Sequence, residues 1–364
     1  MAMHIPVRKS LKEGLRNDID KSIVRTMLSL SILLLVLLSF MPVQSQTRND
    51  LNFEFVKQVQ ARHEDQLFQL PGVRAVAIGQ EGKQFVLQVY VNRFAGQPQL
   101  PTRLENVRVV RIDLDQDFTP AGALDGGPQH RIAYTPPVPM GVSTSNPNGC
   151  SAGTLGFRVR DPITGEVGYL TNNHIAAGSA TLCPNQAPIG TSQFQPGLAD
   201  NSCNPGTNIG TLKRFVTINF GFFTNNTMDA AFVVSDTTLV SNNILDIGVP
   251  TGAPRDPVLA EFLQESARTT GYTQSQVRGV NATVRIPYCS DSKIARFVGQ
   301  VLVVGVTTFD AEGDSGTGLL SLSGEPVGLY FGHAGAYARC YASTPSIATA
   351  RGRDFLKDSQ IQLG

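Results

Sequence analysis

Apolar and polar positions fall into three regimes along this chain. Residues 27–41 are apolar almost without a break, residues 51–70 space apolar side chains among polar ones, and from residue 73 onward apolar positions come in short runs separated by Gly, Pro, Asn and Asp. The middle regime, with Leu51, Phe55, Val59 and Leu67 and a stop at Pro71-Gly72, predicts an amphipathic helix. The third predicts strands. In 84–92 the alternation of Phe85, Leu87, Val89 and Val91 has the period of two that turns one face to a core. Residues 73–79 and 107–114 read as strands too, so 46–119 is expected to be a small α/β module. Segment 120–139, with Gly122, Gly126, Gly127 and several prolines, reads as a linker. Beyond it, strand-like runs recur at 154–160, 167–171, 209–216, 230–234, 277–286, 300–307, 316–321 and 326–331. Many short strands between turn signals predict a mainly β sandwich or pair of barrels over 140–364.

The first regime is of a different kind. A basic stretch ending at Arg25 precedes the apolar run, and Pro42-Val43-Gln44-Ser45 follows it. The run is shorter than the roughly 20 residues a spanning helix needs, so 1–45 reads as a secretory signal, cleaved before Gln46. A start at Met27, or an uncleaved anchor, is the alternative. Export to the periplasm or the medium is expected. The leader holds six Lys/Arg and three Asp/Glu, so the rest of the chain carries a net charge of −2, which recruits neither nucleic acid nor an anionic membrane. Five cysteines leave at least one without an intrachain partner. Cys183 and Cys203 bracket a Pro/Asn/Gly-rich excursion and are expected to pair locally, with Cys289–Cys340 as a second bridge and Cys150 free. No metal or cofactor is expected, since zinc-type Cys/His spacing and Asp-rich calcium loops are absent from the sequence.

Three segments carry chemistry. Gly313-Asp314-Ser315-Gly316-Thr317 reads as a serine nucleophile in a tight turn, whose glycines let the Gly313 and Ser315 amides converge on one oxyanion. A serine hydroxyl needs a base, and 168–176 (Gly-Tyr-Leu-Thr-Asn-Asn-His-Ile-Ala) delivers His174 at the end of a strand. The imidazole needs an orienting carboxylate, and Asp229 opens the run 230–234, where a buried charge requires a partner.

The order His174, Asp229, Ser315 and the motif Gly-Asp-Ser-Gly resemble the trypsin/chymotrypsin-like serine proteases. Thr171-Asn172-Asn173 before the histidine, Arg268-Thr269-Thr270-Gly271 and Pro326-Val327-Gly328-Leu329 are similar to a bacterial branch, which also tends to carry an N-terminal domain with a stretch like Pro71-Gly72-Val73. The resemblance implies a double six-stranded β-barrel and cleavage of protein or peptide substrates through an acyl-enzyme. It implies that Phe309, Asp310, Phe331, Gly332 and His333 line the primary specificity pocket. In enzymes of this kind released from a precursor, the acid beside the nucleophile pairs with a new N-terminus; Arg131-Ile132 is suitably placed but lacks the following glycines, so Asp314 is expected to pair internally. The 46–119 module is expected to be a permanent structural part. A protease-fold binding protein and a serine esterase are the other readings; the intact triad opposes the first, and the missing Gly-x-Ser-x-Gly elbow the second.

Overall fold

The structure, a computed structural model, describes residues 48–120, 128–289, 291–306, 311, 313–334, 345–349 and 362–363. Helix Arg48–Leu67 buries Val56, Val59, Gln60 and Leu67. Phe55, expected on the apolar face, is 43% exposed. The reason is spacing: positions 51, 55 and 59 drift around a helix of 3.6 residues per turn, whereas 56, 59, 60 and 67 stay on one face. That face lies on strands Val73–Glu81 and Gln84–Asn92, packing with Val76, Ile78, Leu87 and Val89. Each buried aliphatic side chain here contributes about 1.5–3 kcal/mol. Strand Val107–Leu114 joins Gln84–Asn92 in parallel register, Leu87 opposite Val109.

The protein is mainly β, and its spine is the 18-residue strand Gly271–Tyr288. Its first half pairs with Phe262–Ala267, its second half pairs on the same edge with Val73–Glu81, and Lys293–Gly305 lines its other edge. Six strands close a ring: Gly271–Tyr288, Lys293–Gly305, Pro345–Thr349, Pro326–Ala334, Gly318–Ser321 and Phe262–Ala267. The N-terminal strands therefore continue the sheet of this barrel. Ala75, Tyr90 and Phe118 share a core with Val284, Phe297 and Phe331.

A second sheet has the order Ser192–Gln195, Thr207–Phe215, Ala231–Ser235, Val167–Thr171, Arg158–Arg160, Gln362–Leu363. Its core collects Leu155, Tyr169, Leu212, Phe232 and Val233. Part of the stretch read as a linker packs as structure. Val138–Met140 pairs with Val240–Ile244, and His130 is buried between the Gly141 carbonyl and the Asp246 carboxylate at 2.9 and 3.0 Å.

The disulfides correct the sequence reading. Cys150 bonds Cys203 and Cys183 bonds Cys289; Cys340 lies outside the described residues. The 197–203 turn is held against 143–151, where Gly197 N–H donates to Ser143 Oγ and Leu198 N–H to Ser145 Oγ, so Cys203 meets Cys150. Asn185 exchanges hydrogen bonds with Ile218, whose side chain packs in the same core as Tyr288, and this carries Cys183 to Cys289. Proximity in the fold overrides proximity in sequence.

Candidate active site

Strands Val167–Thr171 and Ala231–Ser235 pair with Thr171 opposite Ala231, so the residues just beyond those ends meet. His174 follows one end on the single turn Asn173–Ala176, and Asp229 precedes the other. The His174 ring Nδ1 lies 2.5 Å from Asp229 Oδ2, and the His174 backbone N–H donates to Oδ1 at 3.2 Å. Both side chains are shut off from solvent. The Thr-Asn-Asn stretch supports the turn residue by residue. Thr171 Oγ1 donates to the Thr154 carbonyl at 2.8 Å, Asn172 Nδ2 to the Asp229 carbonyl at 2.7 Å, and Asn173 Nδ2 to the Val216 carbonyl at 2.7 Å.

A fourth group touches the carboxylate. The Tyr288 hydroxyl donates to Asp229 Oδ2 at 2.8 Å, from the last residue of the spine strand and beside the Cys183–Cys289 bond. Burial, and then the Asp229 charge, push the Tyr288 hydroxyl well above the usual phenol range, so it stays a donor. Sequence reasoning ended this strand at Ile286 and missed the tyrosine. A polar-tipped aromatic beside a cysteine is the only local signal it leaves.

The Ser315 turn is shaped from outside as well as by its glycines. Gly313 has φ +100° and Gly316 φ +97°, values that L side chains rarely adopt. A Cβ on Gly316 would lie 2.2 Å from Thr171 Oγ1, and one on Gly313 would lie 2.5 Å from Arg268 Nη1. Thr154 ties the turn to the histidine strand. Its N–H donates to the Ser315 carbonyl at 2.8 Å and its Oγ1 to the Gly313 carbonyl at 2.8 Å, while its own carbonyl receives Thr171. The Asp314, Gly316 and Thr317 amides donate to the Ala311, Tyr330 and Asp314 carbonyls. Among the described residues, nothing accepts the Gly313 and Ser315 amides. Those are the two amides that the sequence assigns to an oxyanion.

Asp314 is fully buried and accepts three amides, from Thr269, Thr270 and Ala311 at 2.8, 3.1 and 2.8 Å. Burial pushes its carboxyl above the ordinary range, against the opposing pull of those amides. Arg268, from the Arg-Thr-Thr-Gly segment, forks onto Asp200 at 2.7 and 2.5 Å, and both side chains are buried. His174 Nε2 and Ser315 Oγ are both buried and without a hydrogen-bond partner among the described residues.

The residues expected in a specificity pocket divide. Phe331 is fully buried with its ring centroid 4.9 Å from that of Phe297, so its side chain belongs to the core. Gly332 and His333 lie on the Pro326–Ala334 strand opposite Pro120 and Thr119. Phe309 and Asp310 lie outside the described residues.

No protein-family model and no curated protein sequence matches the chain. Among solved structures it is similar to bacterial chymotrypsin-like serine proteases. Nocardiopsis protease is 17% identical over 62% of this chain and 98% of its own, with a TM-score of 0.43. Thermobifida fusca protease A is 18% identical over 62% and 97%, TM-score 0.41, and Cellulomonas bogoriensis chymotrypsin 18% identical over 62% and 98%, TM-score 0.40.

Proposed function

We propose that this chain is an exported serine endopeptidase acting through Ser315, His174 and Asp229. The observation that carries the reading is the buried His174–Asp229 pair, which occupies Nδ1 and leaves Nε2, like Ser315 Oγ, with no partner. An imidazole fixed on one nitrogen has the other available as a base. In the proposed reaction, Ser315 Oγ attacks the substrate carbonyl as Nε2 takes its proton. The Gly313 and Ser315 amides receive the oxyanion, and the imidazolium returns the proton to the leaving amine. Water then repeats the sequence on the acyl-enzyme. Asp229 and Tyr288 stabilise the transient positive charge on the ring. Export is supported by two disulfides, which persist in oxidising compartments. Among the described residues no helix is long and apolar enough to cross a membrane.

Labelling with a fluorophosphonate probe tests the assignment. Wild-type protein should label at Ser315 and hydrolyse peptides. Ser315→Ala should lose both, with a fall in turnover on the order of a millionfold, because the triad acts as a unit. Unchanged hydrolysis by Ser315→Ala would overturn it. His174→Ala should behave similarly, and Asp229→Asn should lose on the order of ten-thousandfold.

A further inference from the structure

The row of residues facing one edge of the Pro326–Ala334 strand changes beside Ser315. Gly318 pairs with Leu329, Tyr330 N–H donates to the Thr317 carbonyl at 3.0 Å, and Gly316 N–H donates to the Tyr330 carbonyl at 2.9 Å. Ser315 stands where that row stops. Immediately beyond, Gly332, His333 and Ala334 face Pro120, Thr119 and Phe118. The opposite edge is taken by Pro345–Thr349, with Ser346 across from His333, so Phe118–Pro120 continues the row of the Ser315 side. Both partners are antiparallel to the same strand. Phe118–Pro120 therefore runs, in chain direction, toward Ser315.

Details of the contact match strand addition. Pro120 has no N–H, so the reciprocal pair of backbone hydrogen bonds falls on Thr119 and His333. A Cβ on Gly332 would lie 3.0 Å from the Thr119 carbonyl, so glycine is what admits a strand so close. Phe118 is fully buried among Ile286, Phe297 and Phe331 and anchors the segment, whereas Thr119 and Pro120 are half-buried.

We propose that Phe118–Pro120 is a resident competitor on the peptide-binding edge of the active site, and that an extended peptide binds Gly332–Ala334 by displacing it. The proposal rests on the function given above. Recognition along such an edge is mainly through backbone, with side-chain preference from the pockets of alternate residues. The partner is thus an extended peptide that places an apolar ring where Phe118 stands and carries a free N–H where Thr119 has one.

Two measurements test this, one of them independent of catalysis. In a Ser315→Ala background, a fluorescein-labelled peptide copying residues 115–120 is titrated by anisotropy against the chain with and without Thr119→Pro. Loss of one donor of a reciprocal pair should tighten binding about tenfold by weakening the resident strand. Equal affinity overturns the proposal. In the active chain, Thr119→Pro should raise kcat/KM for peptides about tenfold through a lower KM, with the rate of fluorophosphonate labelling unchanged. An unchanged KM also overturns it. If no form labels, the enzymatic reading fails and the binding titration still decides the edge. Should Thr119→Pro fail to fold, Phe118→Leu replaces it in both measurements, with an expected change of about threefold and the same overturning results.

Discussion

The Tyr288 hydroxyl and the His174 ring converge on one oxygen, Oδ2 of Asp229, at 2.8 and 2.5 Å. That carboxylate is fully buried, so each donor bears directly on how its charge is shared. A hydrogen bond to a charged group is worth about 1.5–3 kcal/mol. Tyr288→Phe should therefore lower kcat for peptide hydrolysis between tenfold and a hundredfold, with KM nearly unchanged. Steady-state kinetics on a peptide substrate checks it, and a loss seen only in KM would assign Tyr288 to binding instead.

The same hydroxyl sets an alkaline limit on stability. In the fold it remains protonated well above its ordinary value, while in the unfolded chain it ionises near pH 10. Its stabilisation is present below about pH 10 and is lost as pH rises from there, by up to about 1.4 kcal/mol per pH unit. The urea midpoint should fall between pH 9 and pH 11, and fall less in Tyr288→Phe. Tyr90 and Tyr169 are buried and raised in the same direction, so the substitution reduces the drop without abolishing it.

Thr154→Val keeps shape and removes one hydroxyl. That hydroxyl donates to the Gly313 carbonyl at 2.8 Å and accepts from Arg268 N–H at 3.1 Å, both buried. Leaving the two backbone groups unpaired should cost about 2–4 kcal/mol of stability. Because Gly313 carries one of the proposed oxyanion amides, kcat should fall by more than tenfold where the variant folds. Chemical denaturation and single-turnover acylation read the two effects separately.

Helix docking depends on Gln60, which donates to the Asn281 carbonyl at 2.9 Å and receives Asn281 Nδ2 at 3.1 Å. Gln60→Ala should cost about 2–3 kcal/mol, since it strands polar groups under the helix. Limited proteolysis should then cut within 48–72 before the barrels. Equal resistance to protease would mean that the apolar face alone holds the helix.

What the chain discloses in advance is periodic and local. The strand at 167–171 and the strands at 84–92 and 107–114 are legible in their alternation and turn signals, and the His174–Asp229 contact follows from residue types that need each other when buried. What stays hidden is long-range. Thr154 and Tyr288 act through backbone carbonyls and a carboxylate far away in sequence, and nothing in their neighbours marks them. Disulfide partners are hidden for the same reason, because Cys183 and Cys289 lie 106 residues apart. The buried His130 escaped because glycine and proline around it mimic a linker, whereas its partners Gly141 and Asp246 are set by the packed fold.

The spine strand has a consequence for timing. Val73–Glu81 leaves the ribosome early, yet its outer partner, residues 280–284 of the spine, is made some two hundred residues later. The apolar ground between them is uncovered until nearly the whole chain exists. The end of that same strand carries Tyr288 to Asp229. Completion of the sheet and completion of the charge network are therefore one event, and a partly made or partly unfolded chain has strands but no fully assembled catalytic carboxylate.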